Sequence, residues 1–284
     1  MRNKFLIISI FNAGLGDYLC LTSLIKNIKL RSEYNQIVLI TDLQDFYKHN
    51  PKISSILMIR NRFLKYFIRR INSFLHIFGL PFYNFQFKNK GIGLEDFAKN
   101  NRKVHYINLL SRHILKQDIS FKNLNCELFF SNNELQLYSE VINFHKLPEN
   151  FCLIHSQGKK THTPNKSIPV QTFQNHIYSD PNHWVQIGPK SNKPLNNVIN
   201  FLGCTEDIRF LCFLIAQSKH VVCEEGLYNH ISSAFQIPTS LYLTGFSSPS
   251  FSCYSNTNII LKTPSPKCAP CYLLSPCPNN FICL

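Results

Sequence analysis

The sequence predicts an α/β protein built from two doubly wound domains, and two junctions along the chain carry this prediction. An apolar run from Phe5 to Phe11 is followed by Gly14-Leu15-Gly16-Asp17 and then by an amphipathic run from Tyr18 to Ile28. This order is typical of a buried strand, a glycine turn and a helix. A second junction of the same kind lies near Glu225-Gly226. Each junction exposes backbone N–H groups at the start of a helix, where α/β proteins commonly bind anionic groups.

Length and composition agree with two folded domains. The chain has 284 residues, of which 44% are hydrophobic and 16% are charged, so a full core can form and disorder is not expected. A helical pattern from Leu135 to Phe144 ends before Pro148-Glu149-Asn150, which has the composition of a linker. We therefore expect an N-terminal Rossmann-like domain over 1–148 and a C-terminal one over 149–284.

The remaining elements follow from alternating apolar and amphipathic segments. In the first half, a second strand is expected at Ile37 to Thr41, and mixed basic and aromatic segments follow it. In the second half, strands are expected at Phe151 to His155, Trp184 to Ile187, His220 to Cys223 and Ser240 to Thr244. Helices are expected between them at Val170 to Ile177, Glu206 to Gln217 and Tyr228 to Phe235. Strands that alternate with helices predict parallel sheets.

The charge is strongly positive and unevenly distributed. A net charge of +14 predicts an anionic partner, such as nucleic acid, an anionic membrane face or a phosphorylated substrate. Residues 46–94 contain nine Lys or Arg and no Asp or Glu, and basic and apolar residues alternate from Arg60 to Leu75. This pattern is typical of a helix that binds a membrane surface or a partner, but an ordinary surface helix with a solvated basic face fits equally well. Because no recognised DNA or RNA motif accompanies the charge, nucleic acid is not the expected partner.

No segment of the sequence predicts a membrane span. The longest apolar runs fall short of the ~18 residues that cross a bilayer. Met1-Arg2-Asn3-Lys4 and the apolar run after it resemble a signal peptide only faintly, because that run is short and no small-residue cleavage site follows. We expect a buried first strand and a cytoplasmic protein, peripheral on the inner membrane if the basic segment binds lipid.

The first glycine turn does not predict a nicotinamide cofactor. Gly14-x-Gly16 lacks the third glycine of the dinucleotide motif, since Leu19 stands there, and no acidic residue follows at a clear spacing to bind a ribose. Asp17 fits a helix N-cap, which the residue pattern alone favours. A carboxylate at this turn also fits a general base for a substrate hydroxyl.

Two places in the second half have the composition of an anion or sugar site. The loop over 157–166 offers glycine, cations and hydroxyls, namely Gly158, Lys159, Lys160, Thr161, Thr163 and Lys166. These groups suit a diphosphate, although a solvated polar loop has the same composition. Glu225, at the end of a strand, could bind sugar hydroxyls or the N–H edge of a base. The alternative is that Glu225 only caps the following helix, as an acid at the positive end of its dipole. His230 follows five residues after Glu225 on the same expected helix. It fits a site residue beside Glu225 or a packed core histidine.

Taken together, these segments resemble glycosyltransferase family nine, the bacterial heptosyltransferases of lipopolysaccharide core synthesis. The family's G-x-G-D followed by L-x-x-T is present as Gly14-Leu15-Gly16-Asp17-Tyr18-Leu19-Cys20-Leu21-Thr22. Its K-x-W-P is present as Lys166-Ser167-Ile168-Pro169, with Ile in place of Trp. Its acidic residue five positions before a histidine, then small residues and a proline-led strand, matches the segment from Glu225 and His230 to Pro238. Its C-x-x-C…C…C-L tail ends at Cys283-Leu284.

The resemblance implies the GT-B fold, with two Rossmann-like domains facing a central cleft. It implies an inverting transfer of heptose or a related sugar from a nucleotide-sugar, ADP-heptose in the family, to a lipid-linked oligosaccharide core, without a catalytic metal or another cofactor. Asp17 would take the proton of the acceptor hydroxyl, and Lys166 would neutralise the leaving diphosphate. The implied substrate-binding residues are Gly14, Gly16, Lys166, Glu225, Gly226 and His230.

Departures from the family pattern leave two alternatives open. Glu225 stands where the family commonly has Asp, and no acidic residue follows Gly188 to hold the ribose. One alternative keeps the chemistry but transfers the sugar to a protein hydroxyl. The other is a family member that binds an anionic ligand without catalysis.

The four cysteines at the end of the chain bear on this choice. Cys268, Cys271, Cys277 and Cys283 include one C-x-x-C pair. They fit free thiols or a structural zinc or iron site with tetrahedral sulfur ligands, whereas disulfides are least expected in a reducing compartment. Some protein O-heptosyltransferases related to the family carry a cysteine-bound iron at this place, so a metal would favour the protein acceptor.

Overall fold

A computed structural model describes residues 4–32, 34–84, 104–158, 163–261 and 265–283 of the chain. The chain divides into two compact units. Among the described residues, the first unit comprises 4–84 and 106–130, and the second comprises 104–105 and 131–283. Each unit has its own parallel sheet, as the alternation of strands and helices predicts.

The first unit is built on a four-stranded sheet with the order β3-β2-β1-β4. Its strands are β1 (Phe5–Ile10), β2 (Gln36–Thr41), β3 (Ser55–Met58) and β4 (Phe82–Asn84). All of its strand pairs are parallel, and Phe5 and Ile10 of β1 lie opposite Gln36 and Thr41 of β2. Because β1 is central and covered on both faces, its residues form a nearly continuous apolar run.

In the described part of the first unit there are three helices, namely α1 (Leu15–Arg31), α2 (Arg62–Ile77) and α3 (Tyr106–Ile114). Helix α1 begins directly after the glycine turn, and its middle is buried from Tyr18 to Ile25. Lys29 and Arg31 in its last turn complement the negative end of the helix dipole. The apolar face of α1 thus fixes the glycine turn at the carboxyl end of β1.

The second unit is built on a six-stranded parallel sheet with the order β10-β9-β8-β5-β6-β7. Its strands are β5 (Phe151–Ile154), β6 (His183–Gln186), β7 (Ile199–Asn200), β8 (His220–Glu224), β9 (Thr239–Tyr242) and β10 (Thr257–Ile260). The chain runs outward from β5 through β6 to β7, then returns to the other side of β5 and continues from β8 to β10. The direction therefore reverses between β5 and β8, and ligands of open parallel sheets bind at the carboxyl ends of strands at such a point.

The helices of the second unit are α4 (Asn132–Phe144), α5 (Val170–Ser179), α6 (Ile208–Gln217), α7 (Leu227–Phe235) and α8 (Pro249–Ser252). Helix α4 groups with this unit, although the sequence places the linker after it, at 148–150. The physical reason is a bidentate pair in which Arg209 of α6 donates to Glu134 at 2.9 and 2.8 Å. Tyr138 adds ring contacts with Phe210 and Phe213.

Among the helices that the structure describes, none combines the length and the apolar character needed to cross a bilayer.

Candidate active site

The glycine turn at the carboxyl end of β1 holds the carboxylate of Asp17. Gly14 is the N-cap of α1, and its N–H donates to Asp17 Oδ2 at 2.9 Å. The prediction that Asp17 is the N-cap is therefore wrong in position: Gly14 is the N-cap, and Asp17, three residues later, accepts from its N–H as in a capping box. A Cβ on Gly14 would lie 3.2 Å from the same oxygen, so a side chain there would crowd the carboxylate. Gly16 lies in the first turn of α1, so both predicted glycines directly precede Asp17 in the same turn.

The second oxygen of Asp17 is bound by a residue that the sequence did not indicate. The Tyr106 hydroxyl, on α3, donates to Asp17 Oδ1 at 2.5 Å. Burial and the negative charge of Asp17 raise the pKa of Tyr106 well above its ordinary value, so this phenol stays a neutral donor. Among the described residues, no cation contacts Asp17. Its carboxylate is thus oriented by two neutral donors.

A neighbouring carboxylate, Asp42 at the end of β2, fixes the same turn from the other side. Lys65 Nζ of α2 lies 2.7 Å from Asp42 Oδ2, the Asn12 N–H donates to that oxygen at 3.1 Å, and the Tyr18 hydroxyl donates to the other oxygen. Burial alone would raise the pKa of Asp42, but these hydrogen bonds and the Lys65 charge lower it overall. Asp42 is thus a fixed anion that ties the turn to α2.

In the second unit, Lys166 and Glu225 form the centre of the candidate site. Lys166 Nζ lies 3.0 Å from Glu225 Oε1, and the Ser247 hydroxyl donates to Glu225 Oε2. The carboxylate side chain is 8% exposed and the lysine side chain 28% exposed. Burial by itself would raise the pKa of Glu225, but Lys166 and Ser247 outweigh it and lower the pKa. The Lys166 ammonium nitrogen lies over the ring of Phe246, 5.0 Å from the ring centroid.

The predicted residues Gly226 and His230 belong to α7, which begins directly after Glu225. Gly226 is the N-cap of α7 with φ +155°, which favours glycine, and open space surrounds the position of its absent Cβ. No side chain makes a capping hydrogen bond there, so Glu225 does not cap α7. His230 Nδ1 lies 2.6 Å from the Tyr254 hydroxyl. Burial lowers the pKa of His230 to about 4 against the opposing charge of Glu225, so the imidazole is neutral at physiological pH.

The adjacent acid, Glu224, has a different role from the one considered for Glu225. Its buried carboxylate accepts a hydrogen bond from the Gly158 N–H through Oε1 and one of 3.3 Å from the Ile168 N–H through Oε2. Glu224 thus holds both ends of the loop that carries Lys166. A Cβ on Gly158 would lie 2.8 Å from Glu224 Oε1, which explains the glycine. Lys159, Lys160 and Thr161, predicted as anion-binding residues, lie outside the described residues.

A buried histidine lies at the carboxyl end of β5, beside the point where the chain direction reverses. The His155 ring stacks on Tyr228 of α7 at 3.8 Å between centroids, with 24° between the planes. Burial lowers the pKa of His155 to about 3, and its Nδ1 has no hydrogen-bond partner among the described residues. Periodicity could not reveal this residue, because a histidine at a strand end fits many structural roles.

The cysteine tail packs against the loop that follows β9. The Cys271 N–H donates to the Gly245 carbonyl at 3.0 Å, and the Tyr272 N–H donates to the Phe246 carbonyl at 2.8 Å. Asn165 Nδ2, next to Lys166, donates to two tail carbonyls, those of Leu273 at 2.5 Å and Ser275 at 2.7 Å. The tail therefore supports the loop that positions Lys166.

The tail sulfurs are not arranged as a metal site in the part of the chain that the structure describes. Cys268, Cys271, Cys277 and Cys283 carry no disulfide. Burial, and then the neighbouring cysteines, raise the pKa of the Cys271 thiol. No group of three or more potential ligands includes a tail cysteine within the described residues. The described residues therefore show no ligand group for zinc or iron at the tail, and the metal at these cysteines stays a prediction.

Comparisons with known proteins place this geometry in a structural context. No protein-family model matches the sequence, and no curated protein matches it significantly. A family 9 glycosyltransferase of Veillonella parvula has a similar structure, with a TM-score of 0.65, 13% identity and coverage of 92% of this chain and 87% of the other. The E. coli ADP-heptose lipopolysaccharide heptosyltransferase II gives a TM-score of 0.60, 17% identity and coverage of 92% and 91%.

A third solved structure belongs to a larger protein. The iron-containing dodecameric glycosyltransferase TibC of enterotoxigenic E. coli has a TM-score of 0.56 and 14% identity, and the match covers 95% of this chain but 65% of that one. Identities this low show the fold alone. The resemblance indicated by the sequence motifs is confirmed at that level, and the chain has the GT-B fold of the family nine glycosyltransferases.

Proposed function

We propose that this protein is an inverting glycosyltransferase that moves a heptose or related sugar from ADP-heptose to a hydroxyl of a lipopolysaccharide or lipooligosaccharide core. The observation that carries the proposal is the pair of Lys166 and buried Glu225, at the carboxyl end of the strand where the sheet order reverses. Similarity to solved heptosyltransferase structures supports the same class of donor.

The donor diphosphate binds at Lys166 and at the first turn of α7. The Lys166 side chain is more exposed than its buried partner, so part of its ammonium group is left to meet a phosphate oxygen. The first turn of α7 contains no acidic residue, and the absence of a side chain on Gly226 lets a phosphate approach its N–H groups. Glu225 contacts the donor while it holds Lys166 in place, and neutral His230 packs behind it.

Asp17 acts as the general base. The acceptor oxygen bonds to the anomeric carbon as the bond from that carbon to the diphosphate breaks, and the hydroxyl proton passes to the Asp17 carboxylate. Gly14 leaves room at the turn, while the Gly14 N–H and the Tyr106 hydroxyl orient the carboxylate. Negative charge that develops on the diphosphate is stabilised by Lys166.

A protein hydroxyl as acceptor is the second candidate. Two observations favour it: the four tail cysteines and the similarity to the iron-containing TibC structure. Because the tail sulfurs do not form a ligand group in the described structure, no step of the transfer is assigned to a metal. Metal analysis of the purified protein, with parallel transfer assays on core oligosaccharide and on peptide, separates the two acceptors.

Thermal unfolding in the presence of ADP-, GDP-, UDP- and CMP-sugars tests the donor. At ~100 times its dissociation constant, the true donor adds roughly 2.7 kcal/mol to the free energy of unfolding. We expect ADP-heptose to stabilise the protein most and to be consumed when acceptor is added. If no nucleotide-sugar stabilises the protein or is turned over, the alternative of a non-catalytic anion-binding protein replaces this proposal.

A further inference from the structure

Helix α2 in the first unit is oriented with its polar side chains toward the sheet. Lys65 pairs with Asp42, and Arg69 donates to the Phe11 carbonyl at 2.7 Å. Asn72 donates to the Ser9 hydroxyl at 3.0 Å. These residues recur at positions i, i+4 and i+7, so they form one continuous stripe along the helix. The polar stripe fixes how the helix is rotated, which means that the opposite face is held in solvent.

That opposite face is apolar and aromatic. Phe63 is 88% exposed, Phe67 is 60% exposed and Ile77 is 79% exposed. The other exposed large apolar residues of the helix and the turn after it are Leu64, Tyr66, Ile71, Phe74, Phe78 and Leu80. A surface helix of a soluble domain normally has the reverse arrangement, with the apolar stripe toward the core. A contiguous exposed patch of this kind marks an interaction surface.

Basic groups border the aromatic face, and no acidic group balances them in the sequence around the helix. Arg60, Arg62 and Arg70 are exposed, and the stretch over 46–94 contains no Asp or Glu. The Arg70 guanidinium lies 5.3 Å from the centroid of the Tyr66 ring. Arg60 and Arg62 also stand at the positive end of the helix dipole, where a cation is unfavourable unless an anion is present.

We propose that α2 is an interfacial helix that lies on an anionic lipid bilayer, with the aromatic face inserted at the level of the headgroups. Charge decides between lipid and a second copy of this chain. A symmetric dimer through this face would place the Arg60, Arg62 and Arg70 side chains of two copies at one interface, whereas anionic headgroups neutralise them. Aromatic rings beside arginines are the composition that such an interface favours. The inference goes beyond the proposed transfer reaction and does not depend on it.

Sedimentation of the full chain with lipid vesicles tests this inference. The protein should bind vesicles of phosphatidylcholine mixed with phosphatidylglycerol, bind much less to phosphatidylcholine alone, and release as salt is raised. The triple variant Phe63→Ser, Phe67→Ser and Phe74→Ser should lose most of the binding. The triple variant Arg60→Glu, Arg62→Glu and Arg70→Glu should weaken binding to anionic vesicles by at least about tenfold, given the contribution of each surface charge.

The matched control is Phe144→Ser, since Phe144 is also highly exposed but lies on α4 of the second unit. It should bind vesicles like the unaltered protein. Two outcomes overturn the inference: equal binding by the Phe63 triple variant, or a stable oligomer that this variant converts to monomers. Binding of nucleotide-sugars, measured on the same samples by thermal unfolding, should not change. A failure of vesicle binding is therefore distinguishable from a failure of the proposed function.

Discussion

Asp17 and Glu225, the two carboxylates expected to act on substrates, are held in opposite ways. Asp17 accepts hydrogen bonds from two neutral donors, the Gly14 N–H and the Tyr106 hydroxyl. Glu225 is buried against a cation, Lys166, and also accepts from Ser247. A carboxylate that meets only neutral donors has no partner charge to lose when it takes up a proton. A buried carboxylate that is paired with a cation cannot be protonated without leaving that cation unbalanced.

The difference separates a group that can exchange a proton from a group that sets a fixed charge. In the proposed function Asp17 is the general base, whereas Glu225 positions Lys166 and would offset its charge until a phosphate binds. Three predictions test this contrast, and a fourth tests the ion pair that joins α4 to α6; they are given in order of their expected effect on the turnover number.

The largest effect is expected from Asp17→Asn. The amide keeps an oxygen that can accept from the Gly14 N–H, so the cap of α1 is retained. Loss of the base should lower the turnover number by on the order of a thousandfold and leave the donor dissociation constant unchanged. Steady-state kinetics and donor titration measure the two quantities. Asp118→Asn, which alters an exposed aspartate of the same unit, is the control. A variant with more than a tenth of normal turnover would remove Asp17 from the mechanism.

Lys166→Met should have the next largest effect, about a hundredfold on turnover, because the charge on the leaving diphosphate is no longer offset. It should also destabilise the fold by about 2 kcal/mol, since Glu225 is left buried without its cation. Adding Glu225→Gln should restore much of the stability but none of the turnover.

Urea unfolding and kinetics on the two single variants and the double variant measure these effects, with the exposed Lys193→Met as control. If the double variant is as unstable as Lys166→Met alone, the two side chains are not coupled as described.

Tyr106→Phe should lower turnover by about tenfold, the loss expected when a charged acceptor gives up one hydrogen bond. The same change made in the Asp17→Asn variant should cost nothing further, because the tyrosine acts only through that carboxylate. A double-mutant cycle on the turnover number measures this coupling. Equal losses in both backgrounds would mean that Tyr106 has a purely structural role.

Glu134→Gln should not change turnover in the folded protein, because this carboxylate ties α4 to α6. Burial would raise the pKa of Glu134, but Arg209 and the Ser131 N–H outweigh it and lower the pKa to about 2. A depressed pKa means that the pair contributes fully above the unfolded-state pKa of about 4.3 and loses its contribution as pH falls toward 2.

The variant should therefore be less stable by about 3 kcal/mol at neutral pH, with a difference that shrinks as the pH is lowered through that range. Urea unfolding across the range measures this difference. Glu140→Gln on the same helix is exposed and should change stability by less than about 0.5 kcal/mol. A difference that does not vary with pH would show that the pair is not the source of the stability.

The sequence predicted the elements whose pattern is local and long enough to read. The strand, turn and helix at the start of the chain, and the alternating elements from β5 to β9 apart from β7, lie close to their expected positions. Strands β3, β4, β7 and β10 were missed because they are only two to four residues long and are partly or fully exposed, so their apolar runs are short. Helix α2 was predicted as amphipathic, but which face turns inward depends on partners in β1 and β2.

The candidate functional residues of each unit were predicted only where a motif marks them. Asp17, Lys166 and Glu225 stand beside glycines or prolines at junctions of a strand or loop with a helix. No such signal marks their partners, Tyr106 and Ser247. These two lie far away in the sequence and contact Asp17 and Glu225 only because the chain folds each unit that way. Glu224 and Glu225 are adjacent acids with the same local pattern, and only the structure separates their roles.

The way Glu224 holds its loop has a practical consequence. Its carboxylate accepts hydrogen bonds from the main-chain amides of Gly158 and Ile168. A side chain at Gly158 would collide with that carboxylate, since a Cβ there would lie 2.8 Å from Oε1. Directed evolution toward new sugar donors should therefore leave Gly158 and Glu224 unaltered and vary other positions of the loop.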